Sequence, residues 1–185
     1  MQLALTQKSV VRSLFWGIDR PSLLRSVALV ALGSVLIAIG AKITVPLQPV
    51  PVTLQSLAVL FIAMTYGFRL GIATVSAYLV AGLSGLPVFA IGSLGMTSGY
   101  LLGLWIAAAL TGFLAEHGWA RHILSTVISV LLGSLLILFF GWLVLSHFVG
   151  VSAAFALGVK PFILGDSLKI IFLACVVPSF WRSVK

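Results

Sequence analysis

Acidic side chains are scarce in this 185-residue chain: Asp19, Glu116 and Asp166 are the whole set, against eleven lysines and arginines. Only 8% of the residues are charged and 61% are hydrophobic, whereas soluble domains are about 25% charged and about 45–50% apolar. Residues 70–115 and 123–159 contain no Asp, Glu, Lys or Arg at all, and each run is far longer than the ~20 apolar residues that cross a bilayer. An ordinary soluble domain is excluded. About six spans of ~20 residues would occupy roughly 120 positions and leave no room for a separate soluble domain. Cysteine is nearly absent as well. Cys175 stands alone within the last apolar run, so no internal disulfide can form, and it reads as a small core residue. There is no Gly-Lys-Ser/Thr triplet to cradle a phosphate. No group of His, Cys and carboxylates has metal-ligand spacing, so no metal site is expected.

What is present is a positive excess, a net charge of +8. On a soluble body a basic patch would suggest nucleic acid, but here the basic residues fall at the ends of apolar runs, so no nucleic acid partner is expected. Breaks at Gly, Pro and charge give six expected spans, at about 25–43, 53–68, 70–86, 98–115, 123–148 and 161–181. The second and third are short and separated only around Gly67-Phe68-Arg69, which predicts a tilted or partly interrupted helical pair. One side of the bilayer then receives Lys8, Arg12, Arg20, Arg25, Arg69, Arg121, Arg182 and Lys185; the other receives Lys42 and Lys160. An excess of Lys and Arg marks cytoplasmic loops, so both termini are expected inside. Residues 1–24 read as a cytoplasmic or interfacial tail, in which Val11, Leu14, Phe15 and Ile18 recur at helical spacing beside Lys8 and Arg12. Residues 25–185 read as the membrane domain. Backbone polar groups in lipid must be satisfied within the segment, so the fold class is all-α.

Gly95, Gly99, Gly103, Ala107 and Thr111 recur every fourth residue, a spacing that lets two helix backbones approach closely. The stripe suits an intramolecular helix contact or a homo-oligomer. In the first span Ser34 and Ala38 form a weaker pair of the same kind.

Three features carry chemistry. The last span contains Gly165-Asp166-Ser167-Leu168-Lys169, and a spacing of three puts Asp166 and Lys169 on one helix face. Charge inside lipid is costly, so the pair reads either as a structural ion pair or as a polar ligand site. The second feature is Val45-Pro46-Leu47-Gln48-Pro49-Val50-Pro51-Val52-Thr53-Leu54-Gln55. Pro46, Pro49 and Pro51 cannot continue a helix and hold the chain extended, as a stiff lid over a cavity or as a mere connector. Gln55 follows as an amide that needs a partner if buried. The third is the break at Gly82-Leu83-Ser84-Gly85-Leu86-Pro87-Val88-Phe89-Ala90, followed by Gly95-Met96-Thr97-Ser98-Gly99-Tyr100. Irregular backbone at membrane depth implies surrounding protein or a water-filled cavity. Tyr100 belongs either in that cavity or at headgroup level. Gly82-Leu83-Ser84-Gly85 also has the form used around the nucleophile of intramembrane serine proteases. A serine nucleophile needs a base, usually His, and His117, His122 and His147 all lie off the last span; a hydrolase using Ser84 is the alternative from another class.

Taken in order, Gly40-Ala41-Lys42-Ile43, Pro46, Pro49 through Gln55, Gly85 through Ala90, Gly99-Tyr100-Leu101-Leu102-Gly103, Pro161-Phe162, Gly165-Asp166 and Lys169 resemble the BioY family, the biotin-specific substrate-binding (S) components of energy-coupling-factor (ECF) vitamin transporters. The resemblance runs from about residue 25 to the C-terminus. It implies a six-helix fold with both termini cytoplasmic, in the plasma membrane of a prokaryote, and no enzymatic activity or cofactor of its own. Biotin would bind near the outer face under the loop containing Pro46, Pro49 and Pro51. Asp166 and Lys169 would meet its polar ends, with Gln55, Tyr100, Thr53 and Pro51 enclosing it. A transmembrane coupling subunit and two ATPase subunits would supply the energy, with Ser34 and Ala38 docking on the coupling subunit. An S component for another vitamin is the nearest variant of this reading.

Overall fold

A computed structural model describes residues 23–90 and 94–182 of the chain; the basic amphipathic segment of the tail, with Val11, Leu14, Phe15 and Ile18, lies outside them. The order is α1 (Leu23–Lys42), β1 (Thr44–Val45), β2 (Val52–Thr53), α2 (Gln55–Leu83), α3 (Leu94–Glu116), α4 (Ile123–Val149), α5 (Val151–Gly158) and α6 (Lys160–Arg182). Among the described residues, five helical stretches are long and apolar enough to cross a membrane. The protein is therefore an all-helical membrane protein with one two-stranded hairpin.

The second of these stretches is not straight. Gly67 sits in α2 at φ 80°, ψ −174°, a backbone state that only glycine enters readily. A Cβ built at Gly71 would stand 3.2 Å from the Cα of Ala63, although residues eight apart in a straight helix are ~12 Å apart. The chain thus folds back at Gly67 into two arms, 55–66 and 68–83, which correspond to the second and third expected spans. Glu116, at the end of α3, accepts a hydrogen bond from the Phe68 N–H at 2.9 Å. Its carboxylate satisfies one of the free N–H groups at the start of the second arm. Gly112 packs on the backbone of Gly67 and Phe68, so the end of α3 and the reversal hold each other in place.

The small-residue stripe resolves to the intramolecular reading. A Cβ at Gly99 would collide with the Phe140 carbonyl, and one at Gly103 would lie 2.8 Å from the Ile137 Cα. Ala107 and Thr111 continue the same seam against Gly133 of α4. Close backbone approach over four turns is what joins helices in lipid, where burial of apolar surface between helices gives little. Around this seam the core is continuous: Ile37, Val59, Leu60, Met64, Val75, Tyr78, Leu145 and Leu173 are all fully buried.

Three local features depart from expectation. The proline-rich connector is a β-hairpin, with Thr44 opposite Thr53 and Val45 opposite Val52; the β-branched residues at its two ends pair and the prolines form its tip. The fifth span ends close to its expected position, at Gly150, φ 84°, but the connection after it holds the short α5, which no expected span covers. Cys175, expected in the core, is exposed on the flank of α6.

Candidate functional site

At the end of the bundle that carries the hairpin, the chain encloses a cavity of about 60 Å³. That volume accepts several waters, since one needs only ~10–15 Å³ on the same measure. Five segments line it: Val50, Pro51 and Thr53 of the hairpin with Gln55 and Ser56 at the start of α2; Phe89 and Ala90 of the break after α2; Thr97, Tyr100, Leu101 and Leu104 of α3; Ile137 and Leu138 of α4; and Phe162 with Asp166 of α6. The residues singled out in three separate stretches of sequence therefore converge on one space.

Asp166 and Lys169 form the ion pair that helical spacing predicts. The Lys169 ammonium donates to Asp166 Oδ1 at 2.9 Å, and both residues are buried, at 7% and 6% exposure. Lys169 also donates to the Ser56 hydroxyl at 2.8 Å. Only Asp166 and Ser56 reach the cavity wall; Lys169 stands behind them, neutralising the carboxylate and tying α6 to α2. Ser56 is absent from the sequence reading, because a serine at the start of a membrane helix gives no signal of its own.

Gln55 lies beside Ser56 and is buried to 7% exposure, and its Nε2 makes no hydrogen bond among the described residues. A buried amide donor without a partner costs about 1–3 kcal/mol. Here it borders the cavity, so a bound acceptor would satisfy it. Thr53 lines the cavity too, and its Oγ1 accepts from the Gln55 N–H at 3.2 Å, which sets the first turn of α2.

Tyr100 faces the cavity and not the headgroups. Its hydroxyl donates to the Gly158 carbonyl at 2.7 Å, and its ring lies parallel to Phe162 at 5.6 Å. Tyr100 thus gives the cavity a fixed aromatic wall and holds α5 and α6 against α3. The irregular segment 84–90 is pinned from two sides. The Tyr78 hydroxyl donates to the Val88 carbonyl at 3.3 Å, and Lys42 Nζ donates to the Phe89 carbonyl at 2.8 Å. Of the lid prolines, Pro51 reaches the wall, Pro49 is half-buried and Pro46 is exposed.

Ser34 donates to the Thr74 carbonyl at 3.0 Å and Ala38 packs on the core. That face of α1 is turned onto α2, and the outward face presents Leu32, Val35, Leu36 and Ile39, with Ile43 exposed just past its end. A second, wholly apolar groove of about 380 Å³ runs between α1, α2 and α6; it has no polar atom with which to hold a vitamin. Ser84 donates to the Ala81 carbonyl in the turn that ends α2. No histidine joins it among the described residues, so nothing activates it as a nucleophile.

Fold and cavity together define a class: a helical membrane protein enclosing a small, largely apolar chamber with a carboxylate, an amide and a hydroxyl at one end. Within that class the chain belongs to the BioY family, whose model matches residues 7–185. A probable biotin transporter BioY of Pyrococcus horikoshii is 39% identical over 151 residues, covering 78% of this chain and 89% of that protein. The biotin transporter BioY of Thermotoga maritima is 35% identical over 150 residues, covering 76% and 86%. In the solved S-component for biotin from an ECF-type ABC transporter, the fold is the same: the TM-score is 0.75 at 23% identity, over 89% of this chain and 95% of the other. The relatives are transporters by name, and the role is not an enzymatic one; the Ser84 hydrolase alternative is set aside on this ground as well as on geometry.

Proposed function

We propose that this chain is a biotin-binding membrane subunit that captures the vitamin on the outer side of a prokaryotic plasma membrane and delivers it inward without covalent chemistry. The observation that carries this reading is the unpartnered, buried Nε2 of Gln55 beside the Asp166 carboxylate, both facing one cavity. A ureido ring offers two N–H donors and one strong carbonyl acceptor. Asp166 can accept the former and Gln55 can donate to the latter, while Tyr100 and Phe162 suit the apolar body of the ligand. Relatives named as biotin transporters support the choice of vitamin.

With α2 counted as two arms, the helices cross the membrane six times. The charge count then supports both termini inside and the cavity near the outer face. The sequence has no Gly-Lys-Ser/Thr triplet to cradle a phosphate, and energy would come from an ECF coupling subunit with two ATPase subunits. The docking surface on α1 is better supplied by the outward row Leu32, Val35, Leu36 and Ile39 than by Ser34 and Ala38, which α2 already covers.

Equilibrium binding of labelled biotin to the purified chain in detergent tests the reading, with thiamine and riboflavin as competitors and Ser84→Ala beside the wild type. Saturable binding displaced by biotin alone and unchanged in Ser84→Ala is expected. No binding by a folded sample, or displacement by another vitamin, would overturn it.

A further inference from the structure

The cavity poses a charge problem for an acidic ligand. Among the described residues no lysine or arginine lines it, and the ammonium of Lys169 is already shared between Asp166 and Ser56. A ligand that carries a carboxylate, as biotin does, would therefore place a negative charge in a chamber with no free cation. Lys42, at the end of α1, is exposed and has no carboxylate partner among the described residues. One of its three donors goes to the Phe89 carbonyl at 2.8 Å, and Phe89 is part of the cavity wall. This anchor holds the ammonium against a lining residue, and its two other N–H donors bond nothing further among the described residues. Lys160, the other exposed lysine at this end, makes no such bond to a lining residue among the described ones.

We propose that Lys42 is the counter-ion for the ligand's carboxylate: anchored on Phe89 at the mouth of the cavity, it makes the site prefer an acid over its neutral derivatives. The inference rests on the biotin reading and adds the residue that recognises the charged end. A charge-assisted hydrogen bond at a partly exposed position is worth more than an exposed ion pair and less than a sheltered one, which corresponds to roughly a 3- to 10-fold effect on affinity.

Affinity for biotin and for biotin methyl ester would be measured on the full chain in detergent, in the wild type and in Lys42→Gln, Lys42→Arg and Lys160→Gln. Lys42→Gln is expected to weaken biotin by about 3- to 10-fold, to leave the ester unchanged, and so to erase the preference for the acid. Lys42→Arg should keep that preference and Lys160→Gln should not alter it. Equal weakening of both ligands would reduce Lys42 to a support for the Phe89 segment, and would overturn the proposal. So would an unaltered acid preference in Lys42→Gln, or an equal effect of Lys160→Gln. Failure of the wild type to bind either ligand would remove the biotin reading and this inference with it.

Discussion

Lys169 donates to the hydroxyl of Ser56 across 113 positions of sequence, while its other bond holds Asp166 three residues away on its own helix. The ammonium thus serves two purposes at once. It neutralises a carboxylate that faces the cavity, and it fastens the last helix to the start of α2, where Gln55 borders the same space.

That arrangement makes the pair energetically coupled. Lys169→Met alone strands the Asp166 carboxylate in an apolar setting, and breaking a buried pair from one side costs about 3–5 kcal/mol. The double variant Asp166→Asn/Lys169→Met removes both charges and should unfold at a higher temperature than Lys169→Met. Thermal unfolding in detergent measures this; a double variant no more stable than the single one would show that the two charges do not support each other.

Gln55 behaves in the opposite way. Replacing it by Leu removes an unsatisfied buried amide, so the ligand-free chain is expected to keep its stability or gain up to about 1 kcal/mol. Biotin affinity should fall by at least ~10-fold, the equivalent of one well-placed hydrogen bond. Unfolding temperature with and without biotin separates the two effects. A chain that loses stability without ligand would assign the amide a structural role.

Gly103 tests the seam between α3 and α4. Any side chain there meets the Ile137 backbone, which cannot move aside as a flexible side chain would. Gly103→Val should cost well over ~1–3 kcal/mol, the usual range for overpacking, and abolish the monodisperse folded species. Leu102→Val, one residue away and half exposed, should be tolerated. Size-exclusion profiles of the two variants in one detergent give the comparison.

Much of the architecture was legible because lipid imposes blunt rules. Uncharged runs of this length must become helices, and Gly67-Phe68-Arg69 announces an interruption that the structure realises as a reversal. Asp166 and Lys169 declared themselves by cost, since charge in an apolar span has few explanations. The hairpin was less visible: Pro46, Pro49 and Pro51 dominate the reading of that segment, whereas its strands are only two residues each. The end of the fifth span near Gly150 was legible, whereas the short α5 after it was hidden, because residues 151–158 add only more uncharged positions to the same run.

Sequence alone determined that the chain is an all-helical membrane protein, which glycine stripe lets two helices touch, and which residues carry unusual chemistry, because each of these follows from local composition or helical period. Only the tertiary structure decided that Gln55, Ser56, Tyr100 and Asp166 share one cavity, that the Ser34 face is spent on α2, and that Lys42 reaches the Phe89 carbonyl 47 residues on. Such contacts join residues far apart in the chain, and no period in the sequence records where a folded helix will bring them.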